Sequence, residues 1–289
     1  MIGLEKDMRI SADNFMNLIN TFKQNGWDIP KSDTEYESRF YRFCKRLSML
    51  DANEQALVIE LTKQFKNIDA QEYTPYMVKL LNQIHSTEND FFEKKRKVFI
   101  LPLLAPEDFN KTKSSNYMWY NFHDEIIRLN PLMKNKQLVF CDPTHFKWIK
   151  NLKKDEIVLL LDDYIGSGET AVNAVRWLQS QYDVDSDKIA ILSIAAQEQG
   201  LNYIAQNSHA KVFTYLLRKK GLSDYYSDET LAKNIKTMAE IEKKLKVEKK
   251  YAFGYNKSEA LISLIKAPNN TFPVFWLTTQ KYEFAPFLR

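Results

Sequence analysis

The sequence predicts an α/β protein: a parallel sheet flanked by helices, with an N-terminal α-helical domain before it and a C-terminal hood or extension after it. Two patterns in the 289 residues lead to this prediction. Residues 10–90 carry apolar side chains at helical spacing and little else. From residue 98, short apolar runs of strand length alternate with helical stripes, as in a sheet built from βαβ units. The predicted domains are 1–92, 93–217 and 218–289.

Composition excludes several classes of protein. The formal net charge of +4 and the pI of about 8.7 are too mild to indicate nucleic-acid binding by themselves. The two cysteines and four histidines are scattered without the spacing of a metal or redox motif. No apolar run approaches the ~20 residues of a membrane helix. The start MIGLEKDMRISADNF carries early acids and does not look like a signal peptide, so the expected location is the cytoplasm.

Helix signals order the front of the chain. A first helical stripe consists of Phe15, Leu18, Ile19 and Phe22. Asp51 is a candidate N-cap for a later helix, because the side-chain oxygen of an acid or a hydroxyl at that position accepts hydrogen bonds from the free backbone N–H groups. Thr74 and Pro75 predict another helix start, with threonine as the cap and proline at the first helical position.

Strand signals order the back of the chain. The candidate strands are VFILPLL (98–104), LVFC (138–141), EIVLLL (156–161), KIAILSIAA (188–196) and AKVFTYLL (210–217). Helical stripes separate them, including one formed by Trp119, Phe122, Ile126 and Leu129. The run EIVLLL is continuously apolar, as expected of a strand buried on both faces of a parallel sheet. Such sheets place their ligands at the carboxyl ends of the strands.

Two carboxylates stand at one of these strand ends, in VLLLDDYIGSGET (158–170). Asp162 and Asp163 follow four apolar residues, so we expect them at the ligand edge of the sheet. A turn with two of the seven glycines of the chain, Gly166 and Gly168, comes next and requires unusual backbone geometry.

A helix begins directly after this turn, and its start is a candidate anion site. The first backbone N–H groups of a helix are free and lie at the positive end of its dipole. The hydroxyls of Ser167 and Thr170 add donors to the same place. The segment thus pairs a phosphate site with two acceptors for vicinal hydroxyls, and a ribose 5-phosphate fits that description. The alternative is a strand-to-helix turn whose acids only cap the helix.

The thirteen residues of this segment resemble the phosphoribosyl-pyrophosphate (PRPP) loop of type I phosphoribosyltransferases. The βαβ pattern around it, roughly 97–217, resembles the core of that family as well, including the segment AAQEQGLNYIAQ. The resemblance implies a type I phosphoribosyltransferase-like fold with PRPP as donor and Mg²⁺ as cofactor. It implies that Asp162 and Asp163 hold the ribose hydroxyls, partly through the metal. It implies that the 5-phosphate is held by Gly166, Ser167, Gly168, Glu169 and Thr170.

A second element of the family, a loop for the leaving diphosphate, has a candidate in KTKSSN (111–116). Lys113 and the amides of Ser114 and Ser115 precede a helix and suit an anion. The distance from the strand VFILPLL is longer than expected for the family. A capped surface loop is the alternative interpretation.

The chain also departs from the family. Gly166 stands where members that act on 6-oxopurines carry an acid, and the stretch 142–155 is short for their flexible flap. The helical front end has no counterpart in the compact salvage enzymes. In the tail, Phe272, Phe275, Trp276, Tyr282 and Phe284 form either a hood over an acceptor ring or part of a core, and the core is favoured. With its front end and tail, the chain resembles phosphoribosyltransferase-like proteins of bacterial conflict or defence neighbourhoods, including some retron systems.

Three functions fit these observations. The leading hypothesis is a Mg²⁺-dependent phosphoribosyltransferase with an unidentified acceptor, and the resemblance to defence-associated proteins implies a role as a defence-system effector. The second is a non-catalytic sensor that binds PRPP or a nucleotide and uses the N-terminal helices to contact a protein partner. The third is an effector that binds nucleic acid or a partner through lysine-rich surfaces such as EIEKKLKVEKK.

Overall fold

The computed structural model describes residues 9–30, 38–141, 149–278 and 285–289. Its contacts divide the described chain into two compact units. One unit joins the residues up to Asn67 with those from Lys219 onward, and the other comprises Ile68–Arg218. The sequence-based domain boundaries fall between residues 92 and 93 and between 217 and 218. The two units are divided in the sequence between residues 67 and 68 and between 218 and 219.

Ten helices and seven strands occur among the described residues. The helices are α1 (Ala12–Gln24), α2 (Arg39–Leu47), α3 (Ala52–Lys63), α4 (Tyr73–Thr87), α5 (Asn89–Glu93), α6 (Ser114–Asn121), α7 (Glu125–Arg128), α8 (Glu169–Tyr182), α9 (Glu198–Asn207) and α10 (Asp228–Lys244). The strands are β1 (Lys66–Asn67), β2 (Lys97–Pro102), β3 (Gln137–Phe140), β4 (Glu156–Ile165), β5 (Ile189–Gln197), β6 (Lys211–Arg218) and β7 (Ile262–Ser263).

The first unit is mainly helical and contains α1, α2, α3, α10 and the short parallel pair β1–β7. The predicted cap at Asp51 is confirmed, since its Oδ1 accepts from the backbone N–H of Glu54 at 3.1 Å and Glu54 reciprocates. The stripe of α1 buries Leu18 and Phe22 completely. The helical prediction for this part of the front end is therefore correct.

The aromatic residues of the tail lie in the core of this first unit. Phe272 and Phe275 are fully buried, and Trp276 is nearly so. Phe275 lies 4.8 Å from Phe65, ring centre to ring centre, and Phe65 stacks on Phe287 at 4.3 Å. These contacts support the core interpretation over the hood. Tyr282 and Phe284 lie outside the described residues.

The second unit is an α/β layer structure built on a five-stranded parallel sheet, which confirms the predicted fold class. The strand order is β3-β2-β4-β5-β6, and β4 is the middle strand, paired with β2 and β5. Its apolar run is buried throughout, as a strand covered on both faces requires. The core of this unit combines β4 and β5 side chains with one face of α8.

The strand order reverses between β2 and β4. From β2 the chain crosses to β3 on one side and then returns to β4 on the other side. In open parallel sheets the helices on the two sides diverge at such a point and leave a crevice at the carboxyl ends of the strands. The sheet order therefore makes the carboxyl ends of β2 and β4 the place where a ligand is expected.

Two predicted helices differ from those observed. Helix α4 begins at Tyr73 rather than after Thr74, because a 3₁₀ turn at Ala70–Glu72 runs directly into it. The stripe from Trp119 onward is split into α6 and α7, because Asp124 caps α7 and accepts from the backbone N–H of Ile126. No helix among the described residues is both long enough and apolar enough to cross a membrane.

Candidate functional site

Both predicted carboxylates lie near the carboxyl end of β4, the middle strand. We expected them to follow the strand, but β4 continues past them to Ile165. The extension has a simple cause: β5 is equally long on that side and pairs with β4 as far as Ile165, opposite Ala196. Asp162 and Asp163 are thus fixed by the ladder rather than carried on a loop.

Asp163 is buried and held by two side-chain hydroxyls. It is only 3% exposed. The phenol of Tyr73 donates to its Oδ2 at 2.6 Å, and the hydroxyl of Ser114 donates to its Oδ1 at 2.6 Å. Short bonds from hydroxyls to a carboxylate are among the stronger hydrogen bonds in proteins. The carboxylate is therefore fixed in position from α4 and from α6.

As a residue, Asp162 is partly exposed, whereas Asp163 is buried. Its Oδ1 accepts from the backbone N–H of Asp163 at 3.0 Å. The pKa of Asp162 lies well above its usual range, because the carboxyl group is in desolvated surroundings and the charge of Asp163 is close by. A cation brought to this place would favour the ionised form of Asp162.

The predicted glycine turn connects β4 to α8 in the expected way. Gly168 has a φ of +83°, a conformation that favours glycine, and it is the N-cap of α8. Gly166 has no positive φ, so the unusual geometry predicted for both glycines is found at one. Ser167 accepts from the N–H of Glu169 at a long 3.4 Å, which leaves the proton of its hydroxyl available for an anion.

Predicted residues from this turn differ in their exposure. Ser167 and Glu169 are partly exposed and Thr170 is exposed, whereas Gly168 is buried. The side chain of Glu169 is anionic, so any role in binding a phosphate falls to its backbone rather than to its carboxylate. The start of α8 therefore offers backbone donors and two accessible hydroxyls.

The turn rests on a residue that the sequence reasoning missed, Gly200 in the first turn of α9. A Cβ atom on Gly200 would lie 2.2 Å from the backbone oxygen of Gly166. A Cβ atom on Gly168 would lie 2.5 Å from the backbone oxygen of Gly200. Two glycines thus allow the turn and α9 to touch through their backbones. A glycine inside a helix, where it costs up to about 1 kcal/mol relative to alanine, was the available signal.

In the predicted second anion loop, Lys113 forms an ion pair with Asp108. Lys113 is the N-cap residue of α6, and its Nζ lies 3.2 Å from Asp108 Oδ1. Lys111 contacts the same carboxylate at 2.8 Å. Partial burial raises the pKa of Asp108, but the hydrogen bonds and charges of the two lysines outweigh it, so the pKa is lowered. Lys113 therefore belongs to a surface ion-pair cluster.

Serine side chains at the start of α6 have different surroundings. Ser114 donates to Asp163, as described, so the two predicted elements come together across 49 residues of sequence. The hydroxyl of Ser115 is buried and has no hydrogen-bond partner among the described residues. Buried hydroxyls are normally paired, so this group is a donor that lacks its acceptor.

The carboxylates fit a magnesium ion better than a structural metal site. No cluster of three or more potential metal-ligating side chains occurs within the described ranges. Mg²⁺ typically uses only one or two carboxylates and takes its other ligands from water and substrate phosphates. Asp162, with the negative charge of Asp163 beside it, suits that role.

Comparison with known proteins gives the family. A sequence model described as PRTase-CE matches residues 43–289, which is most of the chain and includes both carboxylates and the glycine turn. The chain belongs to the PRTase-CE family. This is a family of the phosphoribosyltransferase type. A search of curated proteins found no match.

The family match covers more of this PRTase-CE protein than the candidate site. The family match begins in α2 and continues to the last residue, so it spans parts of both units and not only the sheet. The resemblance drawn from the thirteen-residue segment is therefore supported by a match that is much longer than the segment.

Proposed function

We propose that this PRTase-CE protein binds PRPP with Mg²⁺ at the carboxyl ends of β2 and β4 and transfers the phosphoribosyl group to an acceptor. The observation that carries the proposal is the position of the acids. Asp162 and Asp163 stand where the strand order reverses, one turn before the start of a helix that suits a phosphate. This combination matches a sugar with a phosphate at one end and a diol beside it.

Each part of the site has a distinct task in this proposal. Backbone donors from Ser167 to Thr170 bind the 5-phosphate at the start of α8. Asp162 contacts the ribose hydroxyls directly or through the metal. Asp163, which is held by Tyr73 and Ser114, sets the position of Asp162. The start of α6 receives the diphosphate through its backbone N–H groups. Mg²⁺, when bound with the ligand, would supply positive charge for the leaving group.

In the reaction, the bond between the anomeric carbon and the diphosphate oxygen breaks as the acceptor atom forms its bond to the same carbon. The diphosphate leaves with the electron pair, and the acceptor loses its proton to solvent. The protein contributes by positioning the two reactants and by placing donors where negative charge grows. An acceptor whose proton is easily lost needs no strong general base, so a catalytic histidine is not required.

The acceptor and the biological role complete the proposal. The tail aromatics Phe272, Phe275 and Trp276 lie in the core of the first unit and offer no ring surface to an acceptor base. This favours an acceptor other than a base held under an aromatic hood. A role as a bacterial defence effector rests on the resemblance of the front end and the tail to defence-associated proteins.

A second candidate function is a sensor that binds PRPP without turning it over. The observation in its favour is Asp163, whose two oxygens already accept hydrogen bonds from Tyr73 and Ser114. If these bonds persist after binding, both oxygens of Asp163 stay engaged with the protein, and the ribose hydroxyls are left mainly to Asp162. The sensor would bind PRPP and release no diphosphate.

Calorimetric titration with PRPP and Mg²⁺, followed by a diphosphate-release assay over a panel of bases, nucleotides and proteins, tests both functions. The double variant Asp162→Asn and Asp163→Asn should lose PRPP binding. The control is Asp185→Asn with Asp187→Asn, which removes two charges from exposed positions before β5. Thermal unfolding of both variants checks the fold. Unchanged PRPP affinity in the site variant would refute the proposed site, and binding without release would favour the sensor.

A further inference from the structure

Tyr73 lies outside every motif that pointed to the site and yet touches it. It is the first residue of α4 and is fully buried. Its phenol oxygen lies 2.6 Å from Oδ2 of Asp163, which is 90 residues away in the sequence. A buried phenol needs a partner, and a buried carboxylate needs donors. The contact satisfies both groups.

The second oxygen of Asp163 is held from another helix. Ser114 at the start of α6 donates to Oδ1, also at 2.6 Å. The ring of Tyr73 also meets the ring of Tyr117 edge to face, with centres 5.4 Å apart. Tyr73 therefore links α4 to α6 and to the acid on β4. Because both oxygens accept hydrogen bonds, the rotation of the carboxylate group about its Cβ–Cγ bond is fixed.

We propose that Tyr73 is a positioning residue of the ligand site, acting through Asp163. This inference rests on the proposed function, since it assumes that the acid pair binds PRPP with Mg²⁺. By donating to Oδ2, the phenol holds Asp163 against α6 and sets the place of Asp162 and of the metal beside it. Helix α4 is then part of the binding apparatus, although it carries none of the predicted site residues.

Tyr73→Phe tests the proposal because it removes the hydroxyl and keeps the ring. The expected result is a loss of about tenfold in PRPP affinity at saturating Mg²⁺, with a melting temperature within a few degrees of the wild type. The matched control is Tyr76→Phe, one turn further along α4, where the ring lies 5.6 Å from that of Tyr215. The control should bind PRPP like the wild type.

A double-mutant cycle separates positioning from a general structural effect. If Tyr73 acts through Asp163, then Tyr73→Phe should cause no further loss of affinity in an Asp163→Ala background that retains measurable binding. To keep binding measurable, the cycle uses high PRPP concentrations and competition against a labelled ligand. Additive losses would overturn the proposal, because they would mean that Tyr73 acts independently of the acid.

The outcomes distinguish this inference from the function on which it rests. No PRPP binding by the wild type would overturn the proposed function and the role of Tyr73 together. Wild-type affinity in Tyr73→Phe would overturn the role of Tyr73 alone. A Tyr73→Phe protein that does not fold would assign the hydroxyl to the core and would also overturn it. A tenfold loss that disappears in the Asp163→Ala background supports the positioning role.

Discussion

Substitution of Gly200 by alanine tests whether the glycine turn is held in place by α9. Gly200 has no catalytic group, and it is remote in sequence from the turn. It is linked to the site by the close approach of backbones at Gly166 and Gly168. The substitution adds one methyl group at the point where these backbones meet.

The size of the effect follows from one distance. The new methyl carbon would lie 2.2 Å from the backbone oxygen of Gly166, and real contacts of this kind are not shorter than 3.0 Å. The turn must therefore retreat by at least about 0.8 Å, the difference between these distances. An N–H···O bond of about 2.9 Å would become about 3.7 Å, which is no longer a hydrogen bond. Losing one bond to a charged phosphate costs about 1.5–3 kcal/mol, so PRPP affinity should fall roughly 10- to 100-fold.

The stability should change less than the affinity. Overpacking destabilises a folded protein by about 1–3 kcal/mol, while replacing a helical glycine by alanine recovers up to about 1 kcal/mol. Calorimetry with PRPP and Mg²⁺ measures the affinity, and urea denaturation measures the free energy of unfolding. Asn202→Ala is the control, because it also adds helix propensity to α9 but lies at an exposed position.

Two results would refute this reasoning. If Gly200→Ala binds PRPP as tightly as the wild type while Asn202→Ala does the same, the turn does not set the phosphate site. If Gly200→Ala loses affinity only in proportion to a loss of folded protein, then the contact is a packing feature alone. Affinity is therefore measured at a temperature where both variants are fully folded.

Two further predictions concern the first unit. Burial raises the pKa of Glu242 from 4.5 to about 7, against the hydrogen bond from the N–H of Phe253. The folded state thus binds this proton more tightly than the unfolded state. Protonated Glu242 therefore stabilises the folded state below pH 4.5. This contribution to the free energy of unfolding, about 3 kcal/mol, should be lost as the pH rises from 4.5 through 7. Glu242→Gln should remove this loss in urea denaturation at pH 5 and pH 8, whereas Glu240→Gln, at an exposed position, should keep it. Phe275→Ala should cost about 3–5 kcal/mol of unfolding free energy, because the ring is fully buried, and should leave PRPP affinity unchanged. Weakened PRPP binding without a loss of stability would favour the interpretation of the tail aromatics as a hood over the acceptor.

The central strand, the glycine turn and the following helix could be predicted from the sequence because their signals are local. A continuous apolar run identifies β4, and the position of Gly168 identifies the turn. The parallel sheet followed from the alternation of strands and helices. These features depend on residues within about fifteen positions of one another, and patterns of that length can be read directly.

The contacts that complete the site could not be predicted, because they join distant segments. Tyr73 is an ordinary apolar position of α4 until the fold places it against Asp163. Gly200 belongs to a different helix from the turn that it supports. The division into units was also hidden, because the chain leaves the first unit at Asn67 and returns at Lys219. The stripe at Ile126 and Leu129 misled for a related reason: both side chains are exposed, so apolar spacing there does not mark a buried face.

Charge decides which kind of ligand this site suits. Asp162 and Asp163 are adjacent, the carboxyl group of Asp162 is in desolvated surroundings, and Asp163 is held by two hydroxyl donors. A free phosphate or nucleotide would add negative charge next to Asp162, which its neighbour Asp163 already disfavours in the ionised form. A ligand that arrives with a divalent cation would remove this cost, because the positive charge of the cation would offset the charges of the carboxylates and the phosphates. The acid pair should therefore bind the magnesium complex of a phosphorylated sugar more tightly than the same sugar without metal. The affinity of the protein for PRPP should fall steeply when a chelator removes the metal.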